Sequence, residues 1–162
     1  MSTTETTEKD SNAVADRASL LDAQGDGNEW LQFLLKDQHY ALSVSEVQEI
    51  LCAGDITPVP GAEHHVLGVI NVRGTIVTVV DARTFFGLER KEWDENSRIM
   101  VIEVASGESV GLVVDSVAEV IAMPESVVDQ AMMSVSDDRA RHILGIVPQE
   151  EKLIILVDMK SL

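Results

Sequence analysis

From Trp30 onward the chain is a succession of short aliphatic runs broken by glycine, proline or charged pairs. Trp30-Leu-Gln-Phe-Leu-Leu35 predicts a strand, Lys36-Asp-Gln-His39 a polar turn, and Tyr40-Ala-Leu-Ser-Val44 the returning strand. Further strands are predicted over Val66–Val72, Thr75–Val80, Arg98–Val104, Ser109–Val114, His142–Val147 and Leu153–Val157. Valine and isoleucine dominate these runs, and side chains branched at Cβ fit a pleated strand better than a helix. Many short strands separated by turn residues predict a barrel or sandwich, a mainly β fold. Two short helices are expected, over Asp81–Phe86 with Asp81 as N-cap and over Pro124–Gln130.

The pattern repeats. Val44-Ser-Glu-Val-Gln-Glu-Ile-Leu51 aligns with Val114-Asp-Ser-Val-Ala-Glu-Val-Ile121, and Tyr40-Ala-Leu-Ser-Val44 with Val110-Gly-Leu-Val-Val114. Gly68–Asp81 and Gly145–Asp158 have equal length, and each ends in an aliphatic run followed by Asp. Each half therefore reads strand, turn, strand, a Val-x-x-Val segment, then a glycine-led hairpin. Neither half is large enough for a substantial core by itself, so the two are expected to pack through a shared apolar seam.

Composition narrows the function. The 162 residues carry a formal net charge of −16, with 12 Lys and Arg against 28 Asp and Glu. That balance argues against binding nucleic acid or an anionic membrane surface. Cys52 is the single cysteine, so no internal disulfide is expected, and no apolar stretch is long enough to span a bilayer. A cytoplasmic protein without direct membrane insertion is expected. Residues 1 to about 28 are rich in Ser, Thr, Asp, Glu and Gly, which predicts a flexible acidic tail ahead of a domain over 29–162.

Candidate chemistry is sparse. Asp22-Ala-Gln-Gly-Asp-Gly-Asn28 resembles the start of a calcium loop, but Phe33 stands where a bidentate Glu is needed. His64 and His65 are adjacent, which sends neighbouring strand side chains to opposite faces and makes a shared metal poor. Asp81, Asp115 and Asp158 each follow an aliphatic run, where a carboxylate ends a strand or caps a helix more readily than it does acid–base work. No metal, cofactor or catalytic group is expected, and a small-ligand-binding barrel is the weaker alternative. What remains is a surface constellation: Val47-Gln-Glu49-Ile50 in one segment, and Asn71-Val-Arg73-Gly74 at a hairpin tip. An arginine on an exposed turn beside aliphatic residues suits a protein interface.

In these residues the chain resembles the CheW-like family, the coupling proteins of bacterial chemotaxis. The resemblance rests on Val47–Ile50, Ile56-Thr-Pro-Val-Pro60, Gly68–Gly74, Ile76–Arg83 and Val110–Val117, and runs from about Trp30 to the C-terminus. Thr78 and Ala82 depart from it, standing where proline and leucine are common. The resemblance implies two five-stranded SH3-like β-barrels side by side and an adaptor without enzymatic activity. It also implies partners: the cytoplasmic tip of a methyl-accepting chemoreceptor, the regulatory domain of the chemotaxis histidine kinase, and other coupling proteins in rings. Carried over by motif, Val47, Glu49, Arg73 and Gly74 face the receptor, and Val117 and Val120 line a groove between the barrels. Flagellar chemotaxis, twitching motility and second-messenger control remain open as pathways.

Overall fold

The strands are β1 (Glu29–Leu35), β2 (Gln38–Ser43), β3 (Val47–Cys52), β4 (Val66–Val72), β5 (Thr75–Asp81), β6 (Arg98–Glu103), β7 (Ser109–Val114), β8 (Ser116–Ala122), β9 (Ile143–Gln149) and β10 (Lys152–Val157). Helix α1 (Ala82–Phe85) follows β5, and α2 (Glu125–Met133) follows β8. These come from a computed structural model that describes residues 28–133 and 142–160. Apart from Asn28, the expected tail over 1–28 and the calcium-like loop within it lie outside the described residues.

The strands form two five-stranded sheets, in the orders β9-β10-β2-β1-β8 and β3-β6-β7-β5-β4. The mainly β fold is the one the aliphatic runs predict, with two barrels side by side. The sheets are not the two halves of the repeat, however. Each sheet takes the first two strands of one half and the last three of the other. The correspondence between halves survives this exchange down to register. Thr78 of β5 faces Val110 of β7 in a parallel pair, and Ile155 of β10 faces Tyr40 of β2 in the equivalent one. Both glycine-led hairpins slip register at matching points, Val66/Gly68 and Ile143/Gly145.

The chain passes from one sheet to the other twice. After β2 it crosses through the 3-10 turn Val44–Glu46, and after β7 it crosses back at Asp115. Asp115 and Ser45 hold equivalent places in the repeat. Such crossings put apolar residues on both faces of the central strands. Leu31, Phe33, Tyr40, Leu42, Val47, Met100, Ile102, Leu112 and Val114 build one core shared between the sheets. Trp30, Ala41, Ile154 and Leu156 fill one barrel. Val79, Ile99, Val101 and Val113 fill the other. The near-continuous aliphatic runs follow from this, because strict alternation belongs to strands with one wet face.

Strands β3 and β8 are the elements that periodicity missed. Each carries a register shift, between Val47 and Glu49 in β3 and opposite Leu31/Phe33 in β8. A bulge adds a residue to one strand and breaks the two-residue alternation that identifies it. The helix expected over Pro124–Gln130 begins one residue later and continues to Met133. Asp81 does occupy the N-cap position of α1, but makes no side-chain bond to the helix backbone. Its carboxylate instead accepts from the Thr84 hydroxyl at 2.5 Å.

Candidate functional site

The turn between β4 and β5 is the most sharply defined part of the constellation. Arg73 and Gly74 both have positive φ, at 50° and 87°. Two left-handed residues in a two-residue loop make a type I′ turn, whose twist matches the strands it joins. Glycine supplies the second position without a Cβ penalty. Asn71 completes the turn, its side-chain oxygen accepting from the Gly74 N–H at 2.8 Å. The sequence displays Asn71 in the motif, but its bond to Gly74 depends on the loop conformation. Glu150, in the equivalent turn of the other hairpin, also has positive φ, yet the following residue is Glu151 rather than glycine.

From this fixed turn Arg73 reaches Glu49. Its guanidinium donates to both carboxylate oxygens, at 2.5 and 2.8 Å. Hydrogen bonding to Glu49, then the charge of that carboxylate, hold the guanidinium above its ordinary range. Strands β3 and β4 lie at opposite ends of their sheet order. The pair therefore joins β3 to the hairpin at the other end of the same rolled sheet. The Arg73 side chain remains 73% exposed while that of Glu49 is 16% exposed.

The other candidates divide by depth. Val47 is fully buried in the shared core, which corrects the expectation that it presents a surface to a partner. Val117 and Val120, on edge strand β8, are half-buried against the same core. The structure thus brings Glu49, Arg73 and Gly74 together on one barrel and sets Val117 and Val120 at the seam on the other.

Sequence reading missed a second ion pair. Arg83, at the start of α1, donates through Nε to Asp115 Oδ1 at 2.8 Å and through Nη2 to Oδ2 at 2.5 Å. Oδ2 also accepts from the Lys36 backbone N–H at 3.0 Å. Burial alone would raise the Asp115 carboxyl, but the Arg83 and Lys36 hydrogen bonds and the Arg83 charge outweigh it and leave it lowered. Asp115 thus fastens the second sheet-to-sheet crossing, a role the sequence hints at only by its place after an aliphatic run.

The remaining candidates are scattered. His65 sits edge-on to Phe85 with ring centroids 5.6 Å apart, while His64 is exposed. Asp158 accepts from the Lys160 N–H at 2.9 Å, a local turn. Among the described residues no group of three His, Cys, Asp or Glu could hold a metal ion, and no helix is long and apolar enough to cross a membrane. A surface hollow of about 500 Å³ beside Asp81 is lined by Leu67, Arg90, Lys91, Glu92 and Trp93. There the buried Asp81 meets Arg90 Nε at 3.6 Å, so its carboxylate is held by a cation and a hydroxyl.

Comparison with known proteins places this arrangement. The family model described as CheW-like domain matches residues 29–162. Chemotaxis protein CheW of Bacillus subtilis is 34% identical over 135 residues, 83% of this chain and 86% of that one. Chemotaxis protein CheW of Thermotoga maritima is 31% identical over 134 residues, 83% of this chain and 86% of that one. The crystal structure of the scaffolding protein TtCheW from Thermoanaerobacter tengcongensis superposes with a TM-score of 0.74 at 29% identity, covering 82% of this chain and 90% of that one.

Proposed function

The chain belongs to the CheW-like domain family, and from that premise we propose that it is a non-enzymatic scaffold coupling chemoreceptor tips to the chemotaxis histidine kinase. The observation that carries this reading is the Glu49–Arg73 pair on its type I′ turn. Glu49 fixes the guanidinium in place and uses two of its donors. The rest of the planar group stays open to solvent. An arginine already ordered loses less freedom when a partner docks, so more of its contact energy appears as affinity. In a chain of net charge −16, such a cation also gives an otherwise acidic surface a local orienting point.

Val117 and Val120 supply the apolar counterpart at the seam. An amphipathic receptor helix would set an apolar stripe there and a polar or acidic side chain toward Arg73. The kinase regulatory domain would take outer surfaces of the two barrels. Binding both partners would bring the chain to membrane-associated receptor arrays.

The test is a titration of a receptor cytoplasmic fragment into the full chain and its Arg73→Ala variant. Thermal unfolding of the variant should be nearly unchanged, because an exposed ion pair contributes little to folding. Affinity should fall roughly tenfold to a hundredfold, the loss expected of an interface hot spot. Equal affinity in wild type and variant would remove Arg73 from the interface.

A further inference from the structure

The two sheet-to-sheet crossings occupy equivalent places in the repeat but are fastened by different chemistry. At Asp115 the fastening is a bidentate arginine–carboxylate pair with Arg83, backed by the Lys36 N–H. At the other crossing the corresponding residue is Ser45, and Lys160, two residues beyond Asp158, takes the place of Arg83, two residues beyond Asp81. The crossing carboxylate here is Glu46, one position further along and buried, with 7% of its surface exposed. Its Oε1 has no hydrogen-bond partner among the described residues.

The segment after β10 lies against this crossing. Met159 is fully buried in the shared core, and its backbone N–H bonds to the Glu46 carboxyl. The Lys160 carbonyl accepts from the Ala105 N–H at 2.8 Å, which ties the segment to the β6–β7 turn. The charged groups facing Glu46 are Asp158 and Lys160 from this segment, with Glu103 at the end of β6 lining the same hollow of about 320 Å³. On the far side of Asp158, His142 Nδ1 lies 3.3 Å from its carbonyl.

We infer that Glu46 is a titratable latch between the two barrels, closed when its carboxyl is neutral and loosened when it ionises beside Asp158. A neutral carboxyl is tolerated in this mostly covered corner, where a charge is disfavoured. An ionised one meets burial and a second carboxylate at once, against one backbone N–H and the exposed Lys160. Burial, then the Asp158 charge, push the Glu46 carboxyl up from 4.5 to about 7, with Lys160 and the Met159 N–H opposing. The folded value lies above the unfolded one, so the latch is firm below about 4.5 and released as pH rises through about 7. The Asp115 crossing, whose carboxyl is shifted the opposite way, stays fastened over that whole range. As pH rises, one crossing thus keeps its fastening and the other loses it, and the segment holding Met159 and Lys160 is what lets go.

The experiment is NMR on the full chain between pH 5 and 9, following the Glu46 carboxyl carbon together with Ala105 amide exchange corrected for intrinsic base catalysis. The Glu46 carbon should titrate near 7, and Ala105 exchange should quicken about tenfold or more across the same midpoint. Glu46→Gln should keep Ala105 slow throughout. Asp158→Asn should move the midpoint to lower pH by removing the like charge, and this variant decides the matter if Glu46→Gln does not fold. His142→Gln should leave the midpoint in place. The latch is overturned by a Glu46 carbon that titrates in the ordinary carboxylate range, or by Ala105 exchange that stays flat across its titration. An unmoved midpoint in Asp158→Asn, or loss of the transition in His142→Gln, would overturn it equally.

Discussion

Arg73 and Arg83 show how two arginines of one chain can serve opposite ends. Arg73 pairs with Glu49 at the surface, where solvent screens the attraction and leaves it mainly an orienting device. Arg83 pairs with Asp115 with most of both side chains covered, at 12% and 20% exposure. Removing one partner there strands the other, so Asp115→Asn should lower stability by about 2–3 kcal/mol in urea unfolding. The sign with pH follows from the lowered carboxyl. Its stabilisation is present above the ordinary aspartate range and lost as pH falls below it, so the gap between wild type and Asp115→Asn should close in acid. Arg73-Gly74 was legible in the sequence because an exposed arginine before glycine is a local signal. The Arg83–Asp115 pair was not, because it joins residues that only the strand exchange brings together. Val47 was legible as part of a motif, but its motif position says nothing about which way a strand beside a bulge turns its side chains.

At the scale of elements, the two hairpins beginning at Gly68 and Gly145 set how each barrel closes. A Cβ on Gly68 would stand 2.0 Å from the Thr57 carbonyl oxygen, and one on Gly145 2.4 Å from that of Ala131. In one barrel the crossing partner is the loop bridge Thr57–Val69; in the other it is helix α2. The same glycine thus admits two different coverings, and neither contact can yield without moving backbone. Gly145→Ala should cost about 2–3 kcal/mol of stability, with a matching fall in the denaturant midpoint, despite adding one methyl group. The repeat made these glycines visible as hairpin leaders, and their equal spacing to the following Asp gave the hairpin length. What presses on them was not visible, since Thr57 and Ala131 lie in connections that the repeat does not share. Pro148 has a similar logic: it sits in β9, at the edge of its sheet, where a missing N–H leaves no ladder bond unmade.

Across the whole molecule, strand exchange makes the seam between barrels a core rather than a contact. Phe33, Met100 and Leu112 are fully buried there, and residues from both halves of the repeat meet in it. The aliphatic runs announced a β fold and the repeat announced two units, but the exchange escaped both, because strand order depends on pairings between distant segments. A double barrel joined through one core suits a scaffold, whose task is to hold partners in a defined relation. In the coupling role proposed above, Arg73 on one barrel and Val117 and Val120 at the seam would give such a body a polar and an apolar contact for a receptor helix. Sedimentation velocity on the purified full chain, mixed with a receptor cytoplasmic fragment and the chemotaxis histidine kinase, tests this directly. The account predicts a single boundary containing all three proteins, formed only when the chain is present and weakened by Arg73→Ala. Receptor and kinase that compete for the chain, or a chain that binds neither, would contradict it.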